Sequence, residues 1–407
     1  MPKRLLRRTA ARIAKGVDRA FAGTALNPPN LIRRNSSAEG LGPSQRMRGL
    51  AAIGAFYDRP EFRARQSALF EQPPAITPTV KHVRALGRVG EVLDLRWESG
   101  FTPLWSSQRM AERLTTFSSD ELQGLGLGGR SIEQIVRELG LDKSGELADK
   151  YLRALRNQHA HARWLRHLEG PRPCAVLLHG YMGGAYALEE RVWPARQLFD
   201  SGMDVVLSVL PFHGARRSEQ RGLKPPAFPS SDPRFTIEGL RQLVRDHTAL
   251  FDYLLAGRVS SIGVMGMSLG GYGAALLSTL DERLGFAVFV IPLAAIEDFA
   301  FTHGRFIGTA TEQHAQRTAM NAAQWTVSPV SRPPLVRGER VVVLAGESDL
   351  VTGVAHARRL SEHFETELTM FEGGHLMQFG RSRAFEPVWE MLEGAGLAQR
   401  VVRGRSR

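Results

Sequence analysis

Cysteine is almost absent from the 407-residue sequence, which contains only Cys174. A single cysteine excludes an internal disulfide and fits a reducing compartment. Cys174 opens an apolar run, which favours a small core residue over a nucleophile. No run of about 18 uncharged apolar residues is present, and the amino end lacks the apolar core of a secretory signal. These absences predict a cytoplasmic protein.

Acidic residues are scarce at the two ends of the chain. Residues 1–20 contain seven basic side chains and one acidic one, and residues 400–407 contain four basic and no acidic ones. The ends therefore supply 10 of the 12 net positive charges, and the middle of the chain is close to neutral. Basic residues confined to the tails, without interleaved aromatic residues, disfavour a folded nucleic-acid-binding face. We expect no nucleic-acid partner.

The segment 1–22 has the pattern of an amphipathic helix, and a linker over 23–45 follows it. At 100° per residue, its apolar and basic side chains fall on opposite sides. The apolar side contains Leu5, Leu6, Ile13, Val17, Ala20 and Phe21, and the basic side contains Arg4, Arg8, Arg12, Lys15 and Arg19. Such a helix can bind an anionic membrane surface and make the protein peripheral to a membrane. Two other interpretations stay open, namely packing on the protein itself and an Arg-rich organellar targeting peptide.

The region 46–165 has a mixed pattern. Its periodicity predicts strands over 89–99 and 159–165 and helices over 106–117, 131–139 and 145–158. The second strand would place His159 and His161 on one face. Two histidines at this spacing can bind a metal, but no matching third ligand is evident, so surface or core histidines are favoured. We expect no metal and no cofactor.

From about residue 172 the sequence becomes rich in short apolar runs. They occupy 174–180, 204–210, 260–266, 286–292 and 340–346, and a shorter one lies within 368–379. Strands that are apolar throughout are buried on both faces, which is typical of a parallel sheet with helices on either side. The sequence therefore predicts an α/β fold. Its functional residues should lie at the carboxyl ends of the strands.

A serine flanked by glycines follows the third run. Gly266-Met267-Ser268-Leu269-Gly270 has the form G-x-S-x-G, and small and apolar residues at helical spacing come next. On a sharp turn from strand to helix, the serine oxygen would stand clear of the chain at the amino end of a helix. An ordinary strand-to-helix turn is the alternative, because glycine and serine are common turn residues.

Other strand ends also carry residues suited to acyl chemistry. The first run ends in HGYMGG (179–184), the second in PFHG (211–214), the fifth in GESD (346–349), and the short one in GGH (373–375). A serine hydroxyl needs an imidazole to take its proton, and the imidazole needs a carboxylate to fix its tautomer. Ser268, Asp349 and His375 could meet at one edge of the sheet.

With these motifs in the order serine, acid, histidine, residues 172–398 resemble an α/β-hydrolase of the serine-hydrolase, esterase- or lipase-like type. The turn LPFHGARR (210–217) is similar to one in esterase and lipase members. The resemblance implies Ser268 as nucleophile, Asp349 as acid and His375 as base. It further implies an oxyanion hole formed by the N–H groups of Leu269 and of Tyr181 or Met182.

Some positions near these motifs keep alternatives open. His179, Phe212 and His213 are candidates for the pocket lining. For His213, shaping the turn or lining the pocket is favoured over a role in the chemistry. Glu347 is an alternative to Asp349 as the acid, and Glu297 and Asp298 are more distant alternatives. We divide the chain into a basic helix and linker (1–45), a lead-in region (46–165), a catalytic domain (166–398) with a helical cap insertion (293–338), and a basic tail (399–407).

The leading functional prediction is a hydrolase that cleaves a carboxylic ester, with a lipid acyl ester as one substrate class, through an acyl-enzyme. An acyltransferase or thioesterase would use the same three residues with another acceptor or leaving group. A non-catalytic binding protein on this fold is the alternative of another class. Fold alone does not identify the substrate.

Overall fold

A computed structural model describes residues 2–23, 41–138, 145–217 and 226–400. Residues 24–40 of the predicted linker, the last residue of the helix predicted over 131–139 and most of the basic tail therefore lie outside the described residues, as do the side chains of residues 2–8. The linker was predicted to reach residue 45, but a helix begins at Pro43. None of the described helices combines the length and apolarity that crossing a bilayer requires. The α-helices are α1 (Pro2–Phe21), α2 (Pro43–Tyr57), α3 (Pro60–Ala64), α4 (Gln66–Leu69), α5 (Ser107–Leu114), α6 (Ser119–Gly124), α7 (Ile132–Glu138), α8 (Gly145–Arg153), α9 (Tyr186–Val192), α10 (Ala195–Asp200), α11 (Pro233–Ala256), α12 (Leu269–Leu277), α13 (Ile296–Thr302), α14 (Ala310–Gln324), α15 (Gly353–His363), α16 (Arg381–Ala384) and α17 (Glu386–Gly394).

A nine-stranded sheet forms the centre of the described structure. Its strands are β1 (Thr79–Leu86), β2 (Gly90–Glu98), β3 (His159–His167), β4 (Arg172–Leu178), β5 (Asp204–Ser208), β6 (Val259–Met267), β7 (Leu284–Val290), β8 (Val341–Gly346) and β9 (Leu368–Phe371). The spatial order is β1-β2-β3-β5-β4-β6-β7-β8-β9. All pairs from β5 to β9 are parallel, whereas β1, β2 and β3 are joined in antiparallel fashion. The predicted α/β fold with a mostly parallel sheet is confirmed.

The apolar runs fold as strands because both of their faces are covered. Along β4, Cys174, Val176 and Leu178 enter one core cluster, while Ala175 and Leu177 enter a second. Helices α11 and α12 supply side chains to the first cluster, and α10 and α17 supply the second. Burial on two sides explains why these strands lack polar alternation.

The lead-in region contributes three strands to the same sheet. The predicted strands over 89–99 and 159–165 are present as β2 and β3, which pair along nine residues. Strand β1 was not predicted. It is the edge strand and seven of its eight residues are exposed, so it has no apolar alternation that a sequence pattern could reveal.

The predicted helices of this region are also present as α5, α7 and α8. Helix α8 is followed by a 3₁₀ turn over Leu155–Gln158.

The predicted cap insertion, 293–338, contains α13 and α14. Helix α14 packs on α2 near Gly54, where an added Cβ would lie 3.5 Å from the Cα of Ala323. The domain boundaries stay predictions, and the one between residues 165 and 166 falls inside β3.

Candidate active site

Ser268 stands alone between a strand and a helix. Strand β6 ends at Met267 and α12 begins at Leu269, so a single residue makes the turn. Ser268 has φ of 55° and ψ of −113°, a combination that costs a non-glycine residue strain energy. Main-chain hydrogen bonds fix it, since its N–H donates to the Val290 carbonyl and its carbonyl accepts from Leu293.

The two glycines of the motif are required because backbone segments pass very close to them. A Cβ on Gly266 would collide with the Gly270 carbonyl, and a Cβ on Gly270 would collide with the Leu178 carbonyl. Larger residues would therefore push α12 away from β6 and β4. This is the physical reason why the local sequence reads G-x-S-x-G.

The structure brings Ser268, His375 and Asp349 together. Ser268 Oγ lies 2.9 Å from His375 Nε2, and His375 Nδ1 lies 2.9 Å from Asp349 Oδ2. Since an ionised carboxylate only accepts hydrogen bonds, the imidazole proton is assigned to Nδ1, and Nε2 is free to accept from the serine hydroxyl. The exposed fractions are only 7–8% for all three residues, which limits competition from water.

The carboxylate of Asp349 is held in the ionised form. Burial by itself raises the pKa, but His375 and hydrogen bonds from the Val351 N–H and from Thr352 outweigh that effect and lower the pKa of Asp349 to about 2. Val351 N and Thr352 N donate to Oδ1 at 2.8 and 3.0 Å, and Thr352 Oγ1 donates to Oδ2 at 2.8 Å. Thr352, which the sequence reasoning missed, thus helps to fix the carboxylate.

The loop after β4 lies beside the serine. A Cβ on Gly180 would lie 3.5 Å from Ser268 Cβ. Within the described residues, the main-chain N–H groups of Tyr181, Met182 and Leu269 have no hydrogen-bond acceptor. These donors suit an oxyanion, because such a hole needs N–H groups that the protein itself leaves available.

Glu189 of α9 holds the loop after β4 through a hydrogen bond. The sequence did not indicate this residue. Its exposed fraction is 5%, and its Oε1 accepts from the Gly184 N–H at 2.9 Å. A Cβ on Gly183 would lie 2.7 Å from the same oxygen, so the loop needs glycine here. Burial raises the pKa of Glu189, although the Gly184 hydrogen bond opposes that shift.

The two histidines predicted to line the pocket hold main-chain turns, and the predicted pocket residue Phe212 packs in the core. His179 donates from Nδ1 to the Gly180 carbonyl at 2.7 Å and accepts at Nε2 from the Leu210 N–H at 3.1 Å, and burial lowers its pKa to about 4. His213 donates from Nδ1 to the Pro211 carbonyl at 2.8 Å. The Phe212 ring packs against Tyr151 and Phe235 with centroids 5.1 and 5.0 Å apart, in the core.

No protein-family model matches this chain. The uncharacterized proteins MT2702 and Rv2627c, from two strains of Mycobacterium tuberculosis, are each 33% identical to it over 266 residues. The aligned part is 64% of this chain and 63% of each relative, so the chain spans slightly less than two thirds of those relatives' length.

A solved structure resembles the fold of most of the chain. The acetyl xylan esterase from Paenibacillus sp. R4 superposes with a TM-score of 0.52, covering 83% of this chain and 95% of that chain at 15% identity. The chain has the α/β-hydrolase fold. At such low identity the likeness concerns the fold alone.

The other carboxylates considered as the acid are directed elsewhere. Glu347 is exposed. Asp298 is bonded to Arg317 and Arg359, and Glu297 lies 3.5 Å from Arg359. Asp349 is the one of these four acids that is hydrogen-bonded to His375.

The remaining candidates make no hydrogen bond to Ser268, His375 or Asp349 among the described residues. His159 and His161 are in β3, and burial is the main effect that lowers the pKa of His161 to about 4. Among the described residues, no group of three or more His, Cys, Asp or Glu side chains could hold a metal ion. Cys174 is fully buried, and burial raises its thiol pKa.

Helix α1 contacts the loops that carry Asp349 and His375. This agrees with the interpretation that the helix packs on the protein itself, although the sequence did not indicate the loops on which it packs. Its inward face is made by Ala14 and Asp18, which are buried, and by Val17 and Phe21, which are half-buried. Ile13 and Ala20 were predicted on the apolar side with Val17 and Phe21, but they are exposed, as are Arg12, Lys15 and Arg19. The packed face is therefore rotated from the predicted one, because it is centred on a carboxylate that a hydrophobic pattern counts as polar.

Proposed function

We propose that this α/β-hydrolase is a serine hydrolase that cleaves carboxylic esters through an acyl-enzyme. The proposal rests on one observation, the hydrogen-bonded chain from Ser268 through His375 to Asp349, with both distances at 2.9 Å. A serine oxygen becomes a competent nucleophile when a neutral imidazole accepts its proton and a carboxylate stabilises the resulting imidazolium.

In the proposed reaction, Ser268 Oγ attacks the ester carbonyl carbon while its proton passes to His375 Nε2. The carbonyl oxygen becomes an oxyanion that the N–H groups of Leu269 and of Tyr181 or Met182 stabilise. The imidazolium then gives its proton to the leaving alcohol as the ester C–O bond breaks. Water attacks the acyl-enzyme with His375 as base, which releases the carboxylic acid and restores Ser268.

Ser268→Ala tests this mechanism. We expect ester hydrolysis to fall by about 10⁴-fold or more and covalent labelling by a fluorophosphonate probe to disappear, because the nucleophile is gone. Ser278→Ala is the matched control, since it removes a fully buried serine from the other end of α12, where its Oγ donates to the Ala274 carbonyl. Undiminished labelling of Ser268→Ala would refute the proposal.

We propose further that the substrate is lipid-like and that the enzyme meets it at an anionic membrane surface. Apolar side chains near the site support this proposal. Met182 follows Tyr181 in the loop beside Ser268 and is 46% exposed, and Leu376 directly follows His375 and is 45% exposed. On α1, Ile13 is 49% exposed beside Arg12, Lys15 and Arg19. Esters of graded acyl chain length would reveal a preference for long chains.

Vesicle sedimentation tests the membrane surface. Replacement of Arg12, Lys15 and Arg19 by Gln should weaken binding to phosphatidylserine-containing vesicles by about 100-fold, because each basic side chain contributes about 1 kcal/mol. The matched control replaces three exposed arginines elsewhere in the chain, Arg65, Arg88 and Arg137, and changes the net charge equally. Equal binding of the two variants, or equal binding to neutral vesicles, would contradict a surface centred on α1.

A further inference from the structure

Asp18, near the amino end of the chain, lies at the loops that carry the acid and the base. Its side chain is fully buried. Oδ2 accepts from the Leu350 N–H at 3.1 Å and from the His375 N–H at 2.8 Å, and Oδ1 accepts from the Leu376 N–H at 3.1 Å. One carboxylate therefore satisfies three main-chain donors on two separate loops.

The two loops are those that the triad depends on. Leu350 directly follows Asp349 in the loop after β8, and Leu376 directly follows His375 in the loop after β9. Direct main-chain bonds also link the loops farther from the site, from Ser348 N–H to Gly373 and from Glu347 N–H to Phe371. Asp18 adds a tie next to the reacting side chains, and hydrogen bonds to an ionised acceptor are stronger than neutral ones.

The local sequence leaves room for this carboxylate. A Cβ on Gly374 would lie 2.6 Å from Asp18 Oδ2 and 3.1 Å from the Ser348 carbonyl. Glycine at position 374 thus allows the carboxylate to approach the main chain of His375. Without Asp18, three N–H donors at a buried site would lose their acceptor, which proteins rarely tolerate.

We propose that Asp18 is a positioning residue for the triad and that α1 is thereby part of the catalytic unit. This inference rests on the proposed function. By tying Leu350 to His375 and Leu376, Asp18 fixes the distance from Asp349 to the imidazole, and with it the direction of Nε2 towards Ser268. It touches neither substrate nor the reacting atoms.

Asp18→Asn in the full-length chain tests the proposal. The amide keeps the size of the side chain but replaces one acceptor oxygen by an N–H donor. We expect kcat for a soluble ester to fall by about 10- to 100-fold, as for a small misplacement of a catalytic group, while KM changes by less than about twofold. Amide hydrogen exchange of residues 350, 375 and 376 should become faster at the same time.

Two further variants separate positioning from general stability. Asp281→Asn removes another buried carboxylate, which bonds Arg283 ahead of β7, and it should leave kcat and the exchange of the triad loops unchanged. Gly374→Ala keeps Asp18 but places a methyl group against its oxygen, and it should reproduce the Asp18→Asn effects.

The outcomes also separate this inference from the proposed function. If the wild-type enzyme hydrolyses esters and Asp18→Asn matches it in kcat, the positioning role is refuted, even where exchange becomes faster. If the wild-type protein hydrolyses no ester, the proposed function fails and the positioning role fails with it. The exchange measurement then still decides whether Asp18 ties the two loops.

Discussion

Two buried carboxylates approach His375 from distant parts of the chain, and they differ in what they bind. Asp349 accepts from the imidazole Nδ1 and from its own loop, at Val351 and Thr352. Within the described part of the chain, Asp18 accepts only from main-chain N–H groups, including that of His375 itself. The first orients a side chain, whereas the second orients the backbone that carries it. If Ser268, His375 and Asp349 act as we propose, their geometry depends on a support that takes no part in the chemistry.

The largest effect should come from breaking the Asp349 side of this comparison. Asp349→Asn presents an amide to Nδ1. The tautomer of the imidazole is then no longer fixed, and no carboxylate charge stabilises the imidazolium. We expect kcat to fall by about 10³- to 10⁴-fold, well beyond the loss expected for Asp18→Asn. Steady-state kinetics on a soluble ester measure the difference.

The control for this prediction is Glu347→Gln, which neutralises an exposed acid two residues away. It should behave as wild type. If Glu347→Gln lost activity and Asp349→Asn kept it, the acid would be Glu347 and not Asp349.

A smaller effect should be visible in the free energy of unfolding, because the contribution of Asp349 to stability depends on pH. The pKa of Asp349 is lowered from 3.8 to about 2 in the folded chain. Because the folded value is the lower one, its contribution is complete above about pH 4 and is lost as the pH falls towards 2. The lowered pKa of Asp349 corresponds to a contribution of about 2 kcal/mol to the free energy of unfolding at neutral pH.

Urea unfolding of wild type and Asp349→Asn measures this contribution. The difference in unfolding free energy should be constant from pH 7 to about pH 5 and should shrink between about pH 4 and pH 3. A difference that stays constant down to pH 3 would show that the ionised carboxylate is not what stabilises the fold. Glu347→Gln again serves as the control, with a small difference at every pH.

The same contrast explains what sequence reasoning could predict. Ser268, Asp349 and His375 each follow an apolar run, and their order along the chain pointed to one edge of a parallel sheet, where the structure brings them together. Their local motifs carry the signal because glycine is needed where backbones meet, as at Gly266 and Gly270. The catalytic roles themselves stay predictions until the variants are measured.

Asp18 and β1 could not be predicted in this way. An acid that binds main-chain N–H groups leaves no periodic pattern, and among the basic residues of α1 it only reduced the net charge by one. Asp18 is nevertheless the one acidic side chain in the first 20 residues. This exception is the feature of the sequence that could have indicated a special role for Asp18. Strand β1 was not predicted because an exposed edge strand need not alternate apolar and polar residues.

The three hydrogen bonds of Asp18 also set an order of events during synthesis. They join residues 332, 357 and 358 positions apart in the chain. At about 5–20 residues per second, α1 leaves the ribosome tens of seconds before the histidine loop exists. Asp18 therefore cannot make these hydrogen bonds until residues 350, 375 and 376 have been synthesised. The arrangement around His375 is complete only when segments 332 to 358 residues apart in the sequence meet.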